Sequence, residues 1–518
     1  MIVVESDPVM FRWFCLTVRR VVVLNCVVSA LVGCALPGPG PELFPVTPMV
    51  VRVGVDGSVE QGYDTTGDGK ADCSERVNAT GVVEAIRFDD NKDGCLDDRD
   101  AWVVLADVPE QERRHLIMIL DSVPFAMVES LWAEGRFRLF SQPSRVISPF
   151  PVMTDLCLSD FFGVSPCPGV ESEYFDGEQL RNGYVAYASK ENVPWMDLVD
   201  WHLEPATHVS VYLGAKKWYL HELRQVQEHF RGSGGPRVIA YIVGTSALGA
   251  RVGRDGHQAG LIQLDRFCRQ LVFESRGRVR ISLLSDHGHH YSSSKRIPLS
   301  RLLAEFGYRP GRGLERSGDV VVPEFGMVSC AVIHTREAAE VARDVLGIEG
   351  VELTAYRDAS DNLVVLSRTG RARITHSAGR FAYRADFGDP LDLLPIYASL
   401  RAEGKVDADG FAGDGVLKEA TATHSYPDVV HRLWRAFHGL VQHTPDVLVS
   451  TQDGYHCGSA FMSSIVHLTA AHGNLRRPSS TGFSMSMNGR LPEMVRMEDL
   501  RGELVRLGVP LDRLESRH

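Results

Sequence analysis

The chain has no surplus of basic charge: 55 Lys and Arg stand against 66 Asp and Glu, a formal net charge of -11 over 518 residues. Without clustered Lys and Arg there is no electrostatic footprint for a polyanion, so a nucleic-acid polymer is excluded as a bulk ligand. A small phosphate ester is not excluded, because bound divalent cations can dominate a local potential whatever the global charge. Long apolar runs are scarce as well, and the one at residues 21–33 (VVVLNCVVSALVG) is too short to span a bilayer comfortably. Cysteine is sparse, ten in all, with no CxxC pair and no Cys/His cluster to suggest a structural zinc. Apolar content is ordinary: 44% hydrophobic and 23% charged residues suffice for one large α/β domain or two smaller ones, and disorder is not the default.

Residues 1–34 have the layout of a secretion signal, with Arg12, Arg19 and Arg20 ahead of the apolar stretch. Leu31-Val32-Gly33-Cys34 resembles a bacterial lipobox, where small residues allow cleavage just before a cysteine that receives lipid. A core helix is the bland alternative, but the Pro/Gly-rich linker of residues 35–50 follows at once. The expectation is lipidation at Cys34, attachment to a membrane through that anchor alone, and a place in the bacterial cell envelope facing the periplasm. Ala35, where inner-membrane retention would call for Asp, points to the outer membrane. Seven cysteines then remain in an oxidising compartment and cannot all pair internally. Cys73 with Cys95 and Cys157 with Cys167 are the pairs to test first by proximity.

Residues 51–105 form a small acidic module with two twelve-residue segments, DTTGDGKADCSE (64–75) and DDNKDGCLDDRD (89–100). Oxygen side chains fall at loop positions 1, 3, 5, 9 and 12: Asp64, Thr66, Asp68, Asp72 and Glu75, then Asp89, Asn91, Asp93, Asp97 and Asp100. Gly at position 6 permits the turn that wraps a chain around a hard cation, so the pattern predicts Ca2+ binding. The flanks alternate or run apolar like strands, which makes this a calcium-loop pair on a hairpin with a structural role. An unliganded acidic turn is the plain alternative.

From residue 110 to 518 apolar strands alternate with amphipathic helices, predicting an α/β domain with a mostly parallel central sheet and helices on both faces. RHLIMILDS, RVIAYIVGTS, RVRISLLSDHG and PDVLVSTQDG run apolar and end in polar or ionisable residues. Ligands sit at the carboxyl ends of parallel strands, so chemistry belongs at those endings. Helices are expected over 125–134, 261–274, 336–346 and 429–440, and residues 320–390 read as an inserted or capping subdomain richer in strands.

The strand endings present, in order, Asp121, Thr154 in SPFPVMTDLCLSDFFG, Asp286-His287 in LLSDHGHH, and His472 in AAHGNLRRPSS. This order is similar to the alkaline phosphatase superfamily, and the PxxT context of Thr154 resembles its type I phosphodiesterase and nucleotide pyrophosphatase branch. The resemblance covers roughly residues 110–490. It implies a hydrolase of phosphoric esters in which Thr154, at a helix N-terminus, is the nucleophile and a ligand of the activating metal. Asp121, Asp286 and His287 would hold that ion, a donor set suited to Zn2+.

The family's second ion needs an Asp and a His from a D-x-x-G-H-like segment together with His472. Here that segment reads GTSALGARVG, placing Ser246 and Ala250 where the Asp and His are expected. A second ion should bind far more weakly or not at all. Asp255 and His257 could supply ligands by a shifted route, although their spacing differs. Two readings follow: a lipid-anchored hydrolase of a small phosphate ester with one degraded metal site, or a catalytically impaired surface binding protein. Asp155 reads as a cap for the helix after Thr154, with a hydrogen bond near the bound ester as the alternative; Trp195, Trp201, Trp218 and Tyr219 read as core ahead of substrate-contacting loops; His289, His290, His424, His443 and His456 receive no role.

Overall fold

The computed structural model describes residues 37–514, apart from 95, 98, 182, 184–186 and 188–192. The expected signal, Cys34 and Cys95 lie outside the described residues. Val50–Val53 (β1), Val59–Tyr63 (β2), Cys73–Val77 (β3), Val83–Phe88 (β4) and Trp102–Val104 (β5) form an antiparallel meander in sequence order. The two acidic segments are its β2–β3 and β4–β5 connections, as their flanks predict. The Pro/Gly linker is not free: Phe44 is fully buried against Tyr63 and Phe273.

The central sheet is built from strands apolar on both faces, as sheets covered by helices require. Arg114–Leu120 (β6), Ser144–Ile147 (β7), Arg237–Ile242 (β8) and Val279–Ser285 (β9) are joined by two late strands, Thr481–Ser486 and Met494–Arg496. The spatial order is 494–496, β7, 481–486, β9, β6, β8. β6 runs parallel to both β8 and β9, the last strand runs parallel to β7, and the 481–486 strand is antiparallel to both its neighbours. Helices Phe125–Ala133 (α1), Thr154–Phe162 (α2), His208–Leu213 (α3), Ala215–Gly232 (α4) and Gly244–Glu274 (α5) lie between these strands. This is the α/β architecture, with a mostly parallel central sheet, that the alternating pattern predicts. α5 extends well before residue 261 and is broken at Gly253, whose φ of 78° suits glycine.

A second, nine-stranded sheet spans residues 309–451 and pairs antiparallel throughout except at its first edge. The insert is therefore larger than 320–390. It takes in Val447–Thr451, which pairs with Cys330–Thr335 and Val351–Arg357 and not, as expected, with the central sheet. An apolar run shows that a strand is buried but not which sheet buries it.

Cys157 and Cys167 are separate buried thiols, correcting the pairing expected from proximity. Cys157 packs into the core of the central sheet and Cys167 into that of the second sheet, so they face different interiors. Among the described residues no helix is long and apolar enough to cross a membrane.

Candidate active site

Parallel pairing brings the ends of β6 and β9 together, with Leu120 opposite Ser285. The next residues, Asp121 and Asp286, are therefore neighbours. One ligand atom each from Asp121, Asp286 and His287 lies within 4.8 Å of the others. His287 Nε2 is 3.3 Å from Asp286 Oδ2 and 4.0 Å from Asp121 Oδ1. Thr154 arrives on α2, which it begins, and its Oγ1 lies 3.3 Å from the same His287 Nε2.

Each donor is held by a specific bond. His287 Nδ1 lies 3.1 Å from the Gly288 carbonyl. A carbonyl only accepts, so Nδ1 carries the proton and Nε2 presents its lone pair. Asp286 Oδ1 accepts the backbone N–H groups of Ser122 and His287 at 2.9 and 2.8 Å, while Oδ2 is buried with no hydrogen-bond partner. Asp121 accepts from Ser122 Oγ at 2.5 Å and Tyr241 Oη at 2.7 Å. Ser122 achieves both contacts at φ 64°, a left-handed conformation costing a non-glycine residue roughly 1–2 kcal/mol.

Burial pushes Asp286 up to about 6 and His287 down to about 4. Asp121 is raised well above the carboxylate range by burial first and the adjacent Asp286 charge second. Two carboxylates that resist ionising side by side, a neutral imidazole lone pair and an orphaned buried oxygen fit one divalent cation of zinc type, whose charge would reverse the penalty.

His472 stands beside this group and outside it. Its ring stacks on His287, with centroids 4.1 Å apart, and its Nδ1 donates to the Val152 carbonyl at 2.9 Å. The positions expected to complete a second ion do not fit one. Ser246 Oγ is tied to Tyr212 Oη at 2.9 Å and Ser122 Oγ at 3.2 Å, and Ala250 packs with Val466, Leu468 and Ala471. GTSALGA opens α5, where the N–H groups of Val243, just before the helix, and of Gly244 donate to buried Glu222 at 3.0 and 2.7 Å. A β-carbon at Gly244 would meet that carboxylate at 2.1 Å, so the segment's first glycine serves the helix start. Asp255 is exposed and His257 buried; two residues apart on a helix, they face different sides and cannot act as a pair.

A cavity of about 230 Å³ opens at Thr154. Its walls include Asp121, Asp155, Glu171, Tyr187, Trp195 and Tyr212, and among the described residues no Lys or Arg. Asp155 is not the helix cap expected: it accepts from Trp195 Nε1 at 3.1 Å, and no side chain caps α2. Burial raises Asp155 to about 6. Trp195 is core, as expected, and cavity wall as well.

Glu171 accepts the Gly326 N–H, yet burial lifts its carboxyl from 4.5 to about 7. The folded protein thus holds this proton more tightly than the unfolded chain. The ionisation penalty is absent below pH 4.5 and grows as pH rises towards 7. Glu171→Gln should remove it, raising folding stability by roughly 2–3 kcal/mol above neutrality and by little under acid conditions. Urea unfolding at the two pH values measures the difference, and an equal effect at both would contradict this account.

In the acidic module the first loop turns its carboxylates onto its own backbone. Asp64 accepts N–H groups of Thr66, Gly67 and Gly69, Asp68 that of Lys70, and Asp72 those of Thr65 and Thr66. Glu75, expected as the last calcium ligand, is instead buried in β3 and accepts from Tyr63 Oη at 3.0 Å and Arg269 at 2.7 Å. It sits opposite Gln61 in the ladder, and strand alternation turns it onto α5. In the second loop the Arg99 guanidinium pairs with Asp93 and Asp97, so a fixed cation already answers two of the carboxylates.

Tyr241, Ser122, Tyr212 and Glu222 shape the site but escape the sequence reading. They belong to no motif and act through contacts between distant segments.

No family model matches the sequence, and no curated protein does. Among solved structures, the chain is similar to the murine ectonucleotide pyrophosphatase/phosphodiesterase 5, with 11% identity and TM-score 0.40, covering 78% of this chain and 98% of that one. The human ectonucleotide pyrophosphatase/phosphodiesterase 5 gives 11% identity and TM-score 0.39, covering 78% and 97%. Phosphonoacetate hydrolase from Sinorhizobium meliloti, in complex with phosphonoacetate, gives 11% and 0.39, covering 77% and 96%. Likeness at this level carries no functional argument.

Proposed function

We propose that the chain is a metal-dependent hydrolase of small phosphoric esters, with Thr154 as nucleophile and one zinc-type cation held by Asp121, Asp286 and His287. The observation that carries this is the meeting of Thr154 Oγ1, His287 Nε2 and the orphaned Asp286 Oδ2 at the start of α2. A bound cation would supply Lewis-acid activation, lowering the pKa of the Thr154 hydroxyl. The chain's own groups do the rest. First-turn N–H groups of α2 have no partner within the helix and favour an oxyanion at Thr154. Ser122 and Tyr241 fix both carboxylates, and Trp195 and Tyr187 wall the ester's side of the cavity.

The second reading, an impaired binding protein, is favoured by Ser246 and Ala250. If each ion in a two-metal phosphoryl transfer contributes several kcal/mol, losing one costs a rate factor on the order of 10² to 10⁴. Metal analysis after zinc loading tests the site itself. One equivalent lost on His287→Ala is expected, and no bound metal at all would leave only the binding protein.

For the N-terminal region we propose lipid anchoring at Cys34 in the bacterial envelope and a structural Ca2+ in the first acidic loop, through Asp64, Asp68 and Asp72. Labelled palmitate should enter the wild type and not Cys34→Ala. Calcium chelation should lower the melting temperature by a few degrees, roughly what 1 kcal/mol produces in a domain of moderate size. An unmoved transition would leave an acidic turn only.

A further inference from the structure

The cavity at Thr154 carries two carboxylates that no cation answers. Glu171 accepts the Gly326 N–H, and Asp155 accepts from Trp195 Nε1 at 3.1 Å. Among the described residues no positive charge acts on either, and no Lys or Arg lines the cavity. The charges nearest Glu171 are those of Glu173 and Glu324, both negative. Arg296 is 3.3 Å from Glu324 and engaged there. A carboxylate withdrawn from water among like charges is costly unless something positive reaches it.

The backbone is shaped for this acid: a β-carbon at Gly326 would stand 2.8 Å from Glu171 Oε2. Phe325, the residue before it, meets Tyr187 with ring centroids 5.7 Å apart. Trp195, bonded to Asp155, packs edge to face on Tyr241 at 5.2 Å. Phe325, Tyr187 and Trp195 all line the cavity, so aromatic rings stand beside its carboxylates. Aromatic rings attract cations, most strongly where water is displaced, and alkylammonium groups suit such walls. An ester bearing further phosphates or a carboxylate would instead set negative charge against Glu171 and Asp155.

We propose that the phosphodiester this chain takes carries an alkylammonium group on one of its alcohols, held in the cavity by the Glu171 carboxylate and the Phe325, Tyr187 and Trp195 rings. This rests on the reading of Thr154 as the nucleophile for that ester, but the ammonium subsite can be measured without turnover.

Choline is the probe, and 3,3-dimethylbutanol, the same shape without the charge, is its control. Calorimetry uses the full chain loaded with zinc at about pH 8, above the value of about 7 to which burial lifts Glu171. Choline should bind at least about 10-fold more tightly than the control. Glu171→Gln should cut that preference on the order of 10-fold. Phe325→Leu should cut it as well while keeping the carboxylate, which preserves the test if one variant misfolds by circular dichroism. Displacement of bound choline by glycerophosphocholine marks a soluble ester and displacement by phosphatidylcholine vesicles a lipid head group; either supports the site, and displacement by neither overturns it. Equal binding of choline and control, or a preference unchanged in both variants, also overturns it. A choline preference without cleavage of p-nitrophenyl phosphorylcholine would sink the hydrolase reading and leave the subsite standing, whereas cleavage with no choline preference would do the reverse.

Discussion

Thr154→Ala is expected to reduce turnover of an aryl phosphodiester by at least about 10³-fold, the scale on which removing a covalent nucleophile acts. The substitution deletes Oγ1, the atom 3.3 Å from His287 Nε2, and little else. Alanine is a good helix former, so the start of α2 should persist. The three remaining donors, Asp121, Asp286 and His287, converge without help from Thr154, so metal content should match that of the wild type. Thr154→Ser should retain much of the activity because it keeps the hydroxyl. Undiminished turnover in Thr154→Ala would remove this residue from the mechanism.

Asp286→Asn should act in opposite directions on two measurements. The amide oxygen can still accept from Ser122 and His287, but the group replacing Oδ2 is an uncharged donor. A cation loses a carboxylate, and with it an attraction of several kcal/mol, so affinity should fall on the order of 10³-fold and turnover with it. The metal-free protein should gain roughly 1–2 kcal/mol, because one of two adjacent buried negative charges is gone and the new N–H can donate to His287 Nε2. Calorimetry with and without zinc reads both effects. A fall in metal-free stability would mean that Asp286 serves packing more than binding.

Much of this site is legible in the sequence, for a physical reason. Strands that run apolar and then stop at Asp121 or Asp286 announce where a parallel sheet delivers its polar residues, and Pro149 and Pro151 mark the turn into α2. Ser246 and Ala250 were equally legible as side chains with no carboxylate or imidazole to offer a second ion. The misses share one cause, orientation set by tertiary partners. Glu75 satisfies a loop pattern by position, but its place in the β2–β3 ladder aims it at Arg269. Asp155 follows Thr154 like a cap, but Trp195 from another segment claims its oxygen. Cys157 and Cys167 are close along the chain and still enter different cores.

The order of strands in the central sheet has a consequence for biosynthesis. Ser282 and Ser486 bond across adjacent strands although 204 residues separate them. At 5–20 residues per second, translation takes roughly 10–40 s to cover such an interval. Throughout that time the outer edge of β9 lacks its neighbour and offers open backbone groups to any other extended segment. The whole nine-stranded sheet emerges in the interim and can fold first on its own interior. The interior of the central sheet is thus completed late, when the 481–486 strand slides between β7 and β9, and protection of that waiting edge falls to whatever holds the nascent chain.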